Sequence, residues 1–275
     1  MKKQRQKGAL GFLYTTRTGR VILKILTARW ISRLCGAFLS CRLSKPLIKK
    51  FVRSNNINLD EYYSDDFRCF NDCFCRKIRE ELRPIDMDCS HLIAPCDGLL
   101  SVYPINGDTV LPIKQSRYSI PSLLQDDELA AKYHDGVCLV FRLCVNHYHR
   151  YGYIDSGKKG ENVFIKGRLH TVRPIALENY PVFVENCREY TVMETENFGT
   201  VTQIEVGAML VGKIKNHHGE HTFSRGEEKG MFLYGGSTVV VLLEKDAAKI
   251  KKEFFDATEK GEETPVTFGQ HIGEK

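Results

Sequence analysis

Short apolar runs separated by turn-forming residues dominate the chain from Leu92 onward. The runs are rich in β-branched and aliphatic side chains, and polar clusters such as Asn106-Gly107-Asp108 stand between them. This pattern is typical of β-strands joined by tight turns. It predicts strands over residues 99–103, 137–145, 190–193, 201–206, 209–214 and 238–243. The sequence therefore predicts a strand-rich core, either a sandwich or a barrel.

The part of the chain before this core has a helical pattern. Bulky apolar side chains recur at spacings of three and four residues, namely Phe67, Phe70, Phe74 and Ile78. They predict helix over residues 54–90, and Pro84 ends the pattern because proline disfavours helix in the residue before it. We predict an α+β fold in which N-terminal helices precede a strand-rich sandwich or barrel-like core. The polar tail over residues 259–275 is expected to be loosely held.

Charge is unevenly distributed along the 275 residues. Residues 1–59 contain 14 Lys and Arg side chains and no acidic one, whereas the rest holds the other 26 basic residues and all 34 acidic ones. A basic segment before a mildly acidic body suggests contact with a membrane or a nucleic acid. No apolar run reaches the roughly 18–20 residues that span a bilayer.

Three interpretations of this basic segment remain open. As a membrane-surface anchor, it would insert apolar side chains into the lipid boundary while its basic side chains stay at the headgroups; the candidates are Ile22, Leu26, Trp30 and Leu34. It could instead be a helical cap packed on the body, or an organelle-targeting segment. We predict a basic membrane-associating arm over residues 1–53 and a main domain over residues 54–275.

The ten cysteines do not indicate a zinc site, because none belongs to a pair of CxxC motifs. Several lie in apolar runs, where free cysteine acts as a small hydrophobe. No secretory signal is evident, since the apolar stretch over residues 9–14 is short and lacks a cleavage site. We therefore predict a protein that faces a reducing compartment.

Four short patterns are candidates for chemistry. They are FNDCFCRKIREELRPI (70–85), APCDG (94–98), NHYHRY (146–151) and YGGST (234–238). Taken singly, each fits a structural role such as a packed helix or a tight turn. In an extended strand His147 and His149 would share one face and form a candidate general base or metal pair. Without further ligands at a suitable spacing, we predict no metal there.

Together, the four patterns resemble the phosphatidylserine decarboxylase family in their order and approximate spacing. The resemblance extends over about residues 67–243 and includes LHTVRPIAL (169–177), FGTVTQIEVGAMLVGKI (198–214) and RGEEKGMFLYGGSTVVVLLE (225–244). It implies a lyase of phospholipid biosynthesis that converts phosphatidylserine to phosphatidylethanolamine and CO2. In the family, this reaction proceeds through an imine with a pyruvoyl group that the enzyme makes from its own chain.

The resemblance also implies a zymogen that cuts itself at Gly236–Ser237. The hydroxyl of Ser237 would attack the Gly236 carbonyl and turn the amide into an ester. Elimination of the ester and hydrolysis, with release of ammonia, would then leave the pyruvoyl group at position 237. The products would be a β chain (1–236) and an α chain (237–275) that remain associated.

An Asp–His–Ser relay performs the cleavage in this family, with the division of roles known from serine hydrolases. The resemblance assigns the orienting role to Asp97. Many members carry Tyr-His-Arg-x-His and use the second histidine as the base, but here that position is Gly152. We therefore expect His149 to be the base, and also the proton donor in decarboxylation, with His147 as an alternative and His170 as a third candidate.

The resemblance further implies phosphatidylserine in an anionic membrane as a partner, and a homodimer is common in the family. We expect a peripheral protein on the cytoplasmic side of the cell membrane, or on an organelle membrane in a eukaryote. No nucleic-acid partner is expected, because the body is net acidic and lacks a recognised motif. Two alternatives stay open: a non-catalytic lipid-surface-binding module of the same fold, and another pyruvoyl-dependent amino-acid decarboxylase.

Overall fold

The computed structural model describes residues 9–63, 66–106, 110–113, 116–168, 182–207, 213–234 and 237–275. The helices in these ranges are α1 (Ala9–Thr15), α2 (Arg17–Leu26), α3 (Arg29–Leu39), α4 (Pro46–Ser54), α5 (Phe70–Phe74), α6 (Ile120–Leu124), α7 (Asp127–Ala131), α8 (Val182–Glu185) and α9 (Lys252–Glu259). Short 3₁₀ turns occupy Arg42–Ser44, Leu59–Glu61 and Glu80–Leu82. None of the helices in the described ranges is long and apolar enough to cross a membrane.

The strands fall into four sheets. The largest contains β2 (Gly98–Pro104), β5 (Val137–Leu143), β7 (Gly157–Lys159), β8 (Val163–Ile165), β9 (Arg188–Thr195), β10 (Thr200–Val206), β12 (His221–Phe223), β14 (Ser237–Leu243) and β16 (Thr264–Val266). The smaller sheets contain β1 (His91–Ile93), β15 (Lys249–Ile250) and β17 (His271–Glu274); β6 (Arg150–Gly152), β11 (Lys213–Asn216) and β13 (Glu228–Leu233); and β3 (Val110–Ile113) with β4 (Ser116–Ser119). The predicted α+β fold, with helices before a strand-rich core, is confirmed.

Strand β14 lies at the centre of the large sheet. It pairs antiparallel with β10 on one side and with β5 on the other, and all its residues are buried. Because both faces of this strand are covered, side chains on both faces are apolar. This explains why residues 239–243 are all aliphatic. The strand predictions at 99–103, 137–145, 190–193, 201–206 and 238–243 are confirmed within a few residues at their ends. Of the predicted strand 209–214, residues 209–212 lie outside the described residues, and β11 begins at Lys213.

The N-terminal helices have an inner and an outer face. Tyr14 and Leu23 are buried in the main hydrophobic core, and Leu39 is buried in a smaller cluster with Phe70 and Phe74. The outer face leaves several large apolar side chains exposed, namely Phe12, Val21, Ile22, Trp30, Leu34 and Phe38. The basic segment is therefore packed on the body while it presents an apolar surface to the outside.

The continuous helix predicted over 54–90 is wrong. In the described part of this range, α4 ends at Ser54 and the one further α-helix is α5, because Cys69 before it is extended and the helix ends at Phe74. Tyr62 and Ile78 instead form an antiparallel bridge. The buried guanidinium of Arg76 donates to the carbonyl oxygen of Asn146 (2.9 Å) and so ties this segment to the turn after β5. Long-range packing has replaced local helix formation.

The tail predicted to be loosely held is also ordered. β16 pairs with β2, and β17 pairs with both β1 and β15. Together with β14, these strands insert the segment 237–275 into two sheets. Hydrogen bonds and buried side chains would therefore hold this segment to the rest of the protein after a cut before Ser237.

Candidate active site

Ser237 is the first residue of β14 and pairs with Leu143, the last residue of β5. Its side chain is fully buried, and its Oγ has no hydrogen-bond partner among the described residues. Gly235 and Gly236, and with them the predicted cleavage bond, lie outside the described residues. Tyr234 just before them has a φ of 48°, a left-handed conformation that costs a non-glycine residue on the order of 1–3 kcal/mol. A strained residue, Tyr234, therefore precedes the buried Ser237 by three positions in the chain.

His149 lies just before β6 and is buried against the ring of Phe74, with ring centroids 4.1 Å apart. The backbone N–H of Phe232 donates to the His149 carbonyl oxygen (2.9 Å), which places the histidine beside the strand leading into YGGST. Its Nδ1 lies 2.9 Å from the carbonyl oxygen of His147. A carbonyl oxygen only accepts, so Nδ1 carries the proton and the neutral ring has its lone pair on Nε2. This is the tautomer that a general base needs.

His147 has the opposite arrangement. Its Nδ1 accepts a hydrogen bond from the backbone N–H of Cys144 (3.2 Å), so the proton of the neutral ring is on Nε2. Burial lowers the pKa of His147, and the negative charge of Asp97 opposes that shift. The predicted shared strand face of His147 and His149 is wrong, because β5 ends at Leu143 and His147 lies in the turn that follows.

Asp97 lies in the turn between β1 and β2 and is buried. Arg83 holds its carboxylate with two hydrogen bonds of 2.8 and 2.6 Å, and the backbone N–H of Phe268 donates a third of 2.9 Å. The hydrogen bond to Asp97 raises the pKa of Arg83. Because charge-assisted bidentate pairs are strong, Asp97 is a fixed negative charge at this site.

Gly152 stands where many members of the resembled family have their second histidine. A Cβ atom here would lie 2.7 Å from the carbonyl oxygen of Glu227 and 2.6 Å from the ring of Phe268. Both distances are shorter than real Cβ contacts, so the fold has no room for a side chain at this position. The ring of Phe268 occupies that space.

An apolar cavity of about 400 Å³ adjoins the YGGST segment. It is lined by Leu34, Cys35, Phe38 and Leu39 from α3 and by Tyr234. Leu34 and Phe38 also belong to the exposed outer face of the N-terminal helices. The cavity therefore connects that apolar surface to the residue that precedes the two glycines.

A second, larger cavity of about 950 Å³ is strongly basic. Its basic lining consists of Arg42, Arg68, Arg76, Lys77, Arg150, Lys213 and Lys215, and its acidic lining of Asp66 and Asp72. Met231 and Leu233 of β13 form part of its wall, so it reaches the strand that leads to Tyr234. An anionic group would be attracted to this cavity.

Sequence reasoning missed three residues of the site. Arg83 was quoted within a motif, but nothing indicated that it would bind Asp97, and no local signal pointed to Phe268 or to the ring of Phe74 beneath His149. All three act through contacts between distant parts of the chain. The third histidine candidate, His170, lies outside the described residues.

Comparison with known proteins gives consistent matches over nearly the whole chain. The family described as phosphatidylserine decarboxylase matches residues 70–274. The chain is 43% identical over 274 residues to phosphatidylserine decarboxylase proenzyme 2 of Clostridium acetobutylicum, a match that covers 99% of this chain and 94% of that protein. It is 39% identical over 273 residues to the phosphatidylserine decarboxylase proenzyme of Clostridium kluyveri, with 97% and 92% covered.

Proposed function

The chain belongs to the phosphatidylserine decarboxylase family, and we propose that it converts phosphatidylserine to phosphatidylethanolamine and CO2 with a pyruvoyl group formed from its own Ser237. One observation of the structure carries the proposal. The Ser237 hydroxyl is buried and has no hydrogen-bond partner among the described residues, and the strained Tyr234 precedes it by three positions in the chain. A hydroxyl that is not held by a fixed acceptor can turn toward the preceding carbonyl.

The surroundings of Ser237 also suit the proposed prosthetic group. A pyruvoyl ketone is about as small as the serine side chain that it replaces, so the fully buried position can hold it without repacking. Once formed, the pyruvoyl group supplies the electron sink that a free cofactor provides in other decarboxylases. The residues around it then need only to bind the substrate and to move protons.

His149 is the base in this proposal. Its Nε2 lone pair can take the proton from the Ser237 hydroxyl, which is a weak nucleophile while it is protonated. The Phe74 ring and the hydrogen bond to the His147 carbonyl hold the imidazole in one orientation. After cleavage, the same nitrogen in its protonated form can deliver a proton to the substrate carbon that loses CO2.

Asp97 is a positioning residue in this proposal. Its negative charge raises the pKa of His147 against the effect of burial, and the His147 carbonyl in turn holds Nδ1 of His149. Asp97 is therefore assigned to the electrostatic surroundings of the His147 ring, and the His147 carbonyl to the orientation of His149. In a direct Asp–His pair, the histidine of many family members would stand at position 152. The fold has no room for a side chain at Gly152.

The N-terminal helices are proposed to dock the protein on an anionic membrane as a peripheral protein. Trp30, Leu34 and Phe38 are exposed on their outer face, and the nearby Arg20, Lys24 and Arg33 are exposed as well. Apolar side chains with basic neighbours favour insertion into the boundary of an anionic leaflet. The apolar cavity beside Tyr234 would then receive lipid from this surface, and the basic cavity would attract its phosphate. A homodimer stays a prediction.

Intact-mass spectrometry of the purified protein tests the proposal directly. We expect two species, a β chain that ends at Gly236 and an α chain whose first residue has the mass of a pyruvoyl group. The Ser237→Ala variant should give one uncut chain. Vesicles that contain phosphatidylserine should release CO2 only with the cut protein.

A single unmodified chain in the wild type would contradict the proposal and favour the non-catalytic lipid-binding module. A cut, pyruvoyl-bearing protein that decarboxylates a free amino acid but not vesicles would favour the other alternative. Both results come from the same preparation, so the three candidate functions are distinguished together.

A further inference from the structure

We propose that His218, His221 and Glu227 form a binding site for a divalent metal ion of the zinc class. His218 belongs to the connection between β11 and β12, His221 is the first residue of β12, and Glu227 lies directly before β13. The site is separate from the residues assigned to cleavage and decarboxylation. It was not foreseen in the sequence, where only His147 and His149 were considered as a metal pair.

The three side chains converge on one point. Oε1 of Glu227 lies 2.8 Å from Nε2 of His221 and 3.8 Å from Nε2 of His218. The two imidazole rings stack with centroids 3.9 Å apart and an angle of 19° between their planes. Tetrahedral zinc with ligand distances of about 2.0–2.1 Å places its ligand atoms about 3.3 Å apart. The two observed distances lie on either side of that value, and the three ligand atoms all lie within 4.8 Å of one another.

Two of the three groups are oriented by further hydrogen bonds. The hydroxyl of Tyr153 lies 3.1 Å from Nδ1 of His218, which leaves Nε2 of that ring directed at Glu227. The backbone N–H of Ser224 donates to Oε2 of Glu227 (2.9 Å), which leaves Oε1 for the ion. Partners of this kind around metal ligands fix the ring tautomer and the direction of the lone pair.

The donor set determines the class of ion. Two imidazoles and one carboxylate suit zinc and similar divalent ions better than magnesium or calcium, which prefer oxygen ligands. The three side chains are 28–33% exposed, so an ion can reach them from solvent. Three protein ligands leave a position for water.

A second histidine cluster offers a contrast. In the group of Asp86, His91 and His271, the two rings also stack, with centroids 3.8 Å apart. The ligand atoms of this group also lie within 4.8 Å of one another, but the His91 ring meets two carboxylates there, with Nδ1 2.9 Å from Asp86 and Nε2 3.8 Å from Asp88. In the cluster around Glu227, both histidines instead direct Nε2 at one carboxylate oxygen.

Equilibrium dialysis of chelator-treated, full-length protein against Zn²⁺ tests the site. We expect the wild type to bind one equivalent more than the His221→Asn variant at the same free zinc concentration. The control is His134→Asn, which removes an exposed imidazole from outside both clusters and should bind as the wild type does. Loss of the Tyr153 hydroxyl in Tyr153→Phe should weaken binding by about 10- to 100-fold.

A second measurement excludes loss of folding as the explanation. Zn²⁺ should raise the unfolding temperature of the wild type and of His134→Asn but not that of His221→Asn, since an ion that binds only the folded state stabilises it. Equal zinc binding by the wild type and His221→Asn would overturn the proposal. Neither readout depends on cleavage or decarboxylation, so the result is independent of the proposed function.

Discussion

Nδ1 of His149 lies 2.9 Å from the carbonyl oxygen of His147, and this contact gives the two histidines different roles. It places the proton of neutral His149 on Nδ1 and the lone pair on Nε2, whereas the bond from Cys144 places the proton of His147 on Nε2. For His147 to act as a base through Nε2, it would have to give up that backbone bond. The pair therefore divides into a base and a residue that orients it.

Replacing His149 should impair cleavage far more than replacing His147. We expect His149→Ala to slow cleavage by about 10²- to 10⁴-fold, the usual contribution of a general base. His147→Asn should have a smaller effect, because the amide oxygen can still accept the bond from Cys144. The measurement is the appearance of the two chains on a denaturing gel over time, with circular dichroism to confirm folding. Normal cleavage by His149→Ala would remove that residue from the mechanism.

A side chain at position 152 should destabilise the protein. Gly152→Ala places a Cβ atom against the Glu227 carbonyl and the Phe268 ring, and overpacking of this kind costs about 1–3 kcal/mol. Gly152→His should cost more and should not speed cleavage. Urea unfolding in the uncut Ser237→Ala background measures the free energy. The control is Gly160→Ala, because a Cβ atom there meets no atom within 4 Å.

The buried pair of Lys229 and Glu205 should be strongly coupled. Their side chains are fully buried with Nζ and Oε1 2.8 Å apart, and Asn216 accepts a second bond from the same Nζ (2.9 Å). Burial raises the pKa of Glu205, and the Lys229 charge opposes this. Lys229→Met should lower the free energy of unfolding by about 3–5 kcal/mol, since it leaves an uncompensated buried charge.

The double variant Lys229→Met with Glu205→Gln supplies the matched test of that coupling. It should recover part of the loss, because no net charge then remains in the core. Urea unfolding of the two single variants and of the double variant in the Ser237→Ala background measures the coupling. If the two substitutions were simply additive, the ion pair would not be the source of the stability.

If the N-terminal helices dock on the membrane, a negative charge introduced on their outer face should weaken vesicle binding more than one introduced elsewhere. Leu34→Glu should weaken binding to vesicles of anionic lipid, because Leu34 is 62% exposed on the proposed docking face. Val163→Glu changes an aliphatic side chain that is 43% exposed on β8 and serves as the control. Cosedimentation measures both. Equal weakening would indicate a general charge effect and would count against docking through α3.

The lowered pKa of His147 predicts how stability depends on pH. Burial disfavours its charged form, so below the ordinary pKa of 6.5 the unfolded chain binds more protons than the folded protein. The contribution of His147 to stability is therefore complete above pH 6.5 and is lost as the pH falls toward the lowered folded value. Urea unfolding of Ser237→Ala across this range should show the fall, and adding His147→Asn should make it shallower. An unchanged slope would refute the assignment to His147.

The strands could be predicted from the amino-acid sequence, because they depend on residues that are close together in the chain. Apolar runs between turn-forming residues predicted β2, β5, β9, β10 and β14, because buried strands have apolar side chains at consecutive or alternating positions. The position of the proposed chemistry at Ser237 came instead from the resemblance of four motifs, taken together, to a known family. The helix predicted over 54–90 failed where the buried Arg76 and the Tyr62–Ile78 bridge outweighed local helical spacing.

The geometry of the candidate sites could be seen only in the tertiary structure, because it depends on contacts between residues that are distant in the chain. Asp97 receives a hydrogen bond from the backbone of Phe268, 171 positions away, and the ring of that residue excludes a side chain at Gly152. The tautomer of His149 depends on which carbonyl meets its Nδ1, and the convergence of His218 and His221 on Glu227 depends on how a loop folds over a turn. Such contacts produce no repeating pattern in the sequence, because they form only when packing brings separate segments to hydrogen-bonding distance.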